Sequence, residues 1–520
     1  MLWASLFLPS LPVDVFARGH SPADAAKPFA VTTGGRTPRI VGVNAAARDA
    51  GVHSGQLVSA SLALAPDLVL RERDLTAEAA ALEAVASWAT QFTPTVALAS
   101  PDAVLAEIGG SLRLFGGLAR LKARLARGAQ DLGYAPRWVF APTSASALLL
   151  SRVSDESGVR NDFFRNDRGE KGGVRKIVSD PTDPDSWPLS LAEADPGAIA
   201  TLAAAGITTF GAAFALPRAA LARRVGTDFV LLLDRIRGLV PEVRPLFVPP
   251  PRYAGKLDLP APVANVDALV FAVNRLVCEL TGWLTGRGLG VIEMSLALAH
   301  ERYAGVATGR GATFVGFSLA APAREPAHLI SVLRERLARV VLPAPVESIT
   351  LASEVVAPLG SRNLGLLPGD NVTATVPLLD RLRARLGEDA VTLIAPHAEH
   401  RPERASRETK IETEHSVPHG HRDRRQAART TREAASENAA LPSRPLWLLA
   451  SPEPIGHRLE AQPWVLRDGP ERIESGWWDG ADVRRDYFIA ESPRGETVWI
   501  YRDHRYGIED GEWFLHGLFA

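Results

Sequence analysis

The sequence predicts a multidomain α+β protein, and three observations predict it. The chain has 520 residues, room for about three to five domains. Short apolar runs of strand type alternate with Ala- and Leu-rich helical periodicities over 1–150 and again over 249–358. A polar tract over 397–439 then precedes an aromatic-rich end. Hydrophobic residues make up 46% and charged residues 22%, a balance that excludes collagen, a coiled-coil rod and a wholly disordered chain. With 58 Lys plus Arg against 59 Asp plus Glu the net charge is −1, so any binding of nucleic acid must come from local patches. The single cysteine, Cys278, excludes a disulfide framework and a Cys-based zinc site and fits a reducing cytoplasm. It reads as a small apolar residue buried in a helix around 271–284.

The first residues are apolar but lack a basic region, and Pro9 and Pro12 follow closely, so they read as a short buried strand. No run of about 18 apolar residues is free of polar interruption, so no membrane span is expected and the chain is read as cytoplasmic. A strand over 40–43 leads into a helix carrying Ala45 to Ala50, and short elements continue to Pro66-Asp67-Leu68. A helix over 76–90 and strands over 95–99 and 104–108 run into the glycine-flanked stretch 109–117. The helix over 118–132 sets Arg120, Lys122, Arg124 and Arg127 around Leu121 and Leu125, a pattern that ordinarily marks a solvated face. A strand over 137–140 and a helix over 144–152 complete an α/β module.

The stretch 154–185, rich in Gly, Asp and Arg, reads as a long mobile loop. Helices then resume. Strands over 252–257, 291–299, 313–319 and 346–353, with helices over 267–284 and 325–340, give a βαββαβ order and an independent α+β domain. The charged and small residues of 397–439 describe a disordered linker. Its His397, His400, His415, His419 and His421 have no Cys and no regular structure to fix a metal geometry, and they read as solvated. In the final segment Trp464, Trp477, Trp478, Tyr487, Trp499, Tyr501 and Trp513 alternate with charges, as in a small β-sheet domain with a turn at Pro493-Arg494-Gly495.

Four local matches carry a family resemblance. Val43-Asn44-Ala45-Ala46-Ala47-Arg48 with Gly51-Val52-His53-Ser54-Gly55 resembles the fingers motif Asn-Tyr-Glu-Ala-Arg followed by Gly-Val-x-x-Gly of Y-family translesion DNA polymerases. Pro66-Asp67-Leu68 resembles that family's Cys-Pro-Asp-Leu. The stretch 102–110 falls where Asp-Glu-Ala-Tyr-Leu-Asp-Val-Thr-Gly is expected, and 202–217 is similar to the thumb hairpin. The resemblance covers roughly 1–360 and implies palm and fingers over 1–190 (fingers about 20–75), a helix-hairpin-helix thumb over 191–245 and a little finger over 246–358. A clamp-peptide region with a short ordered segment would follow over 359–395, then the disordered linker over 396–442 and the β-rich domain over 443–520.

Such a polymerase needs carboxylates that hold two Mg²⁺ ions about 3.5–4 Å apart. On the match, the first-strand metal Asp is Phe7, the second Asp of that motif is Pro9, and the Asp-Glu pair is Asp102-Ala103. Asp102 alone cannot hold two ions, and Glu107, five residues along a strand, turns to the opposite face. The fingers Tyr is Ala45, while Arg48 remains as a remnant of the nucleotide contacts, and the palm Lys is Pro142. No catalytic residue and no Mg²⁺ are therefore expected. The competing reading is an active translesion polymerase that uses Asp14, Asp102 and Glu107. A general helix-hairpin-helix DNA-binding repair protein would explain the thumb but neither flanking domain.

The run 110–117 and the tail segments 469–478 and 513–519 resemble the bacterial ImuB family, polymerase-like proteins without polymerase chemistry. That resemblance implies an adaptor in damage-induced mutagenesis between the β sliding clamp, a RecA-like accessory protein and an error-prone C-family DNA polymerase. Primer-template DNA would meet the thumb at Gly206, Ile207, Thr208 and Gly211, with Arg218, Arg223 and Arg224 beyond. Asn363-Leu364-Gly365-Leu366-Leu367 resembles the clamp-binding Gln-Leu-x-Leu-Phe, so Asn363, Leu364, Leu366 and Leu367 would contact the clamp. A loop whose leucines cover the little finger is the plain alternative.

Overall fold

In the computed structural model, which describes residues 1–20, 22–152, 184–192, 194–301, 311–359, 372–410, 444–445, 447–461, 464–505 and 511–519, the apolar start of the chain forms strand β1 (Trp3–Phe7). There follow α1 (Leu11–Ala17), α2 (Pro22–Ala25), β2 (Phe29–Thr32), β3 (Ile40–Val43), α3 (Ala45–Asp49), α4 (Val58–Leu64) and β4 (Val69–Glu72). Next come α5 (Leu75–Ala89), β5 (Val96–Ala99), β6 (Ala103–Glu107), α6 (Leu118–Leu132), β7 (Arg137–Ala141) and α7 (Ser144–Arg152). These elements open the first of two units, Met1–Arg385 and Leu386–Ala520.

The palm sheet has the order β5-β6-β1-β7, with each neighbouring pair antiparallel. Alternation along its strands sends Ala4, Leu6, Val104, Ala106, Trp138 and Phe140 to one side, where α5 and α6 cover them. Helix α6 presents Leu121, Leu125, Ala129 and Leu132 to that core, one per turn. Trp3, Phe7, Ala103, Leu105 and Ala141 face the other side, under α7. A separate sheet β3-β2-β4 occupies the stretch expected as fingers, and Asn44 caps α3 by accepting from the amides of Ala47 and Phe29.

Four helices, α8 (Pro196–Ala204), α9 (Phe210–Phe214), α10 (Arg218–Val225) and α11 (Thr227–Arg237), occupy the segment expected as the thumb. Trp187 and Leu189 lie in a core that joins Phe210, Leu221 and Phe229 to Val139, Leu149 and Leu150 of β7 and α7. The reason is apolar bulk: Trp187 is 1% exposed and its ring meets Phe210 edge-on. The loop expected over 154–185 lies almost wholly outside the described residues.

The segment expected as the little finger follows as β8 (Ala254–Val263), α12 (Val266–Arg287), β9 (Leu289–His300), β10 (Ala312–Ala323), α13 (Pro326–Leu337) and β11 (Val346–Pro358), with sheet order β10-β9-β11-β8. Helix α14 (Val372–Leu386) packs on it, its buried Asp380 accepting from the Ala320 amide and lying 2.9 Å from His328 Nε2. The little finger is not independent of the palm. Trp88 of α5 fits against glycines of two other helices, where a Cβ at Gly128 or Gly282 would lie 2.4 and 2.5 Å from its ring. Beneath α12, Arg18 donates to Glu279, to Tyr134 Oη (2.8 Å) and to the Leu132 carbonyl (2.8 Å), all buried. Helix α12 is long and apolar enough to cross a membrane, yet it is mostly buried in this core. Asn274, Arg275 and Glu279 interrupt its apolar residues, which is why no span was expected there.

In the second unit, β12 (Thr392–Pro396) and β13 (Ser406–Lys410) form a hairpin. The remaining elements are β14 (Trp447–Pro454), α15 (Gly456–Ala461), β15 (Val465–Ser475), β16 (Val483–Glu491), β17 (Thr497–Asp503) and β18 (Trp513–Leu518). The strands form an antiparallel sheet of order β14-β18-β17-β16-β15. The hairpin corrects the linker assignment over 397–410. Charge there is paired and not merely solvated: Arg401, 2% exposed, donates to Glu399 (2.6 Å) and Asp479 (2.7 Å), and Arg485 donates to Glu403 (3.1 Å). His397 sits 3.2 Å from the Arg404 carbonyl, inside this ordered turn; His415, His419 and His421 lie outside the described residues.

Candidate polymerase-like centre and DNA interface

Phe7 ends β1 with Ala103 opposite it on β6 and Arg137 opposite it on β7. The positions that the resemblance assigns to metal-holding oxygens therefore present a phenyl ring and a methyl group. Arg137 stands over the Phe7 ring, 5.7 Å from its centroid. Pro9 lies in the turn before α1 and offers no side-chain oxygen. Asp102, whose carbonyl accepts from the Leu8 amide, has its carboxylate occupied by Arg152 at the end of α7, with Nη2 at 2.8 Å and Nε at 3.2 Å. Both contacts fall on one oxygen, Oδ1, where the guanidinium competes with any divalent ion.

The other two acids do not complete a set. Glu107 pairs with Trp3 at the far end of β6, four residues from Ala103 and thus roughly 13 Å away. It accepts from the amides of Leu2 (3.1 Å) and Gly109 (3.0 Å). Asp14 lies in α1, where burial pushes its carboxyl up to about 7 against the opposing pull of Arg18. Among the described residues no three His, Cys, Asp or Glu side chains converge. The donor set, one arginine-paired carboxylate between a phenyl and a methyl group, does not fit the two Mg²⁺ ions that the polymerase resemblance implies. Arg48 is exposed on α3 and Pro142 precedes α7.

In the thumb, Gly206 turns the chain at φ +79°, and the Ile207 amide returns to the Leu202 carbonyl. Thr209 caps α9 by accepting from Ala212, and the Phe210 amide donates to the Trp187 carbonyl. Those two amides are used inside the thumb. Gly206 and Thr208 are exposed, Ile207 is half-buried, and Gly211 packs closely on Asp185. Arg218 is ion-paired with Asp234 and keeps about half of its side chain exposed. Arg223 and Arg224 remain exposed on α10; Arg223 Nε donates to the Ala219 carbonyl of its own helix. The peptide Asn363-Leu364-Gly365-Leu366-Leu367 lies outside the described residues.

Sequence reasoning missed Arg137 and Arg152, which meet Phe7 and Asp102 only through strand register and the return of α7. It also missed the packing of α12 on the palm. Gly282 and Gly286, spaced i, i+4 and so on one helix face, were the available signal. A Cβ at Gly286 would lie 2.1 Å from Thr90 Oγ1. Cys278 is half-buried and not buried, and desolvation pushes its thiol up to about 11.

A model of the impB/mucB/samB family matches residues 15–152. Two curated relatives, Protein ImuB from Caulobacter vibrioides strain NA1000 / CB15N and from strain ATCC 19089 / CIP 103742 / CB 15, are each 29% identical over 505 residues, covering 90% of this chain and 100% of theirs. Among solved structures, DinB from Sulfolobus solfataricus is 13% identical, covering 68% of this chain and 98% of its own at a TM-score of 0.35. An insertion ternary complex of Dbh DNA polymerase is 14% identical with the same coverages and a TM-score of 0.35.

Proposed function

We propose that this chain, a homologue of ImuB, is a non-catalytic, DNA-binding adaptor built on a polymerase scaffold. It would serve damage-induced translesion synthesis by joining the β sliding clamp, a RecA-like accessory protein and an error-prone C-family polymerase. One observation carries the reading: Phe7 faces Ala103 while Asp102 is tied to Arg152, so the positions that the resemblance gives to metal-holding carboxylates offer no set of oxygens to match. The partners come from the family resemblance. DNA contact is supported by the exposed thumb turn and by Arg223 and Arg224 on α10. Phosphate contacts carry no sequence information, so binding is expected to weaken with salt and to tolerate any sequence.

Complementation tests the adaptor role. In cells lacking this protein, Asp102→Ala is expected to restore induced mutagenesis in full. Leu366→Ala with Leu367→Ala is expected to abolish it together with clamp association, which for a short peptide lies near micromolar, about −8 kcal/mol. Full mutagenesis by the double leucine variant would remove the clamp contact from this peptide, and loss in Asp102→Ala would remove the non-catalytic reading.

A further inference from the structure

On the α5 and α6 side of the palm sheet, away from Phe7 and Asp102, an open groove of about 600 Å³ runs between the palm helices and α12. Its floor is Trp88, Phe92 and Cys278, and Leu114 and Phe115 stand at its edge. Leu114 is 81% exposed, carried out on a loop that closes through Gly116 (φ +73°) and Gly117 (φ +99°). A large apolar side chain held in water beside an apolar cleft marks a surface that gains by being covered. Arg124 and Arg127 rim the cleft; neither is ion-paired among the described residues, although Arg124 lies over the Phe115 ring. Of the charged side chains that line the groove, Arg124 and Arg127 are basic and Asp131 is acidic, which leaves an excess of positive charge.

We infer that this groove docks an acidic peptide segment of a partner protein, with large apolar side chains set into the cleft and carboxylates against Arg124 and Arg127. The floor argues for a peptide over single-stranded nucleic acid. Trp88 and Phe92 are 4% and 7% exposed, so they offer the edge of an apolar floor and no open ring face on which a base could stack. Charge complementarity at the rim selects the sign of the partner. The site is distinct from the thumb, since the two lie on opposite layers of the sheet; it rests on the adaptor reading for the existence of a protein partner, and DNA binding is read separately.

The test is selection from a phage-displayed library of random peptides, about twelve residues long, panned on the full chain. Peptides are expected to emerge with net negative charge and two large apolar residues, and one of them, labelled with fluorescein, serves as the probe. R124E/R127E and, separately, L114D are expected to weaken that probe by about tenfold or more, equivalent to about 1.4 kcal/mol, while thumb-mediated DNA binding stays at the wild-type level. Leu114 is exposed, so L114D leaves the core intact and keeps the result decisive if the charge reversal unfolds the helix. Peptides without acidic residues, equal binding by L114D, or displacement of the probe by single-stranded DNA would overturn the proposal, the last by assigning the groove to nucleic acid.

Discussion

Asp14, one of the acids on which an active polymerase would draw, sits in a buried setting. One of its carboxylate oxygens is buried without a hydrogen-bond partner among the described residues, and burial moves its titration up to about 7. The folded state thus binds this proton more tightly than the unfolded chain does. Its stabilising effect is present in full below the ordinary carboxylate range and is lost as pH rises through about 7. The size is bounded by about 4 kcal/mol, because each tenfold gain in proton affinity is worth about 1.4 kcal/mol. Denaturant unfolding followed by tryptophan fluorescence between pH 5 and 8 is expected to show falling stability in the wild type and a flatter profile in Asp14→Asn. An unchanged slope in the variant would place the titration elsewhere. Asp102 behaves differently: its pair with Arg152 is partly exposed, so Asp102→Ala is expected to cost about 1 kcal/mol or less.

Among the elements, helix α12 binds the little finger to the palm, through the Gly282 notch around Trp88 and through the Arg18–Glu279 pair. Removing one charge from a buried pair strands the other, at a cost of about 3–5 kcal/mol. Arg18→Met is therefore expected to open the interface, seen as faster proteolysis between α11 and β8, and Arg18→Met with Glu279→Met is expected to recover most of the loss. Equal damage in single and double variants would show that packing alone holds the contact. In the thumb, Arg223→Ala with Arg224→Ala is expected to reduce affinity for duplex DNA and flatten its salt dependence. Most elements were legible in the sequence because their signals are local. Leu121, Leu125, Ala129 and Leu132 announce α6, and Pro493-Arg494-Gly495 announces the turn between β16 and β17. The hairpin β12–β13 was not legible, since its charges find partners only across a distance in sequence, as Arg401 finds Asp479. The same limit hid Arg137 and Arg152 at the candidate centre, while the missing carboxylates there were readable position by position.

At the scale of the whole molecule, a sheet and its helices stand apart, on the proposed reading, from the metal-holding residues that a polymerase would set on them. Folding requires the apolar alternation of β1, β6 and β7, which Phe7 and Ala103 satisfy at least as well as acids would. Chemistry requires oxygen ligands, which they cannot supply. A chain under these two separate constraints can keep its scaffold and lose nucleotide addition. Primer extension by the full chain on a primer-template, with Mg²⁺ and with Mn²⁺ and with DNA binding measured in the same samples, tests this most directly. A bound primer-template and no added nucleotide are expected; extension that disappears in Asp102→Ala would show a working polymerase centre.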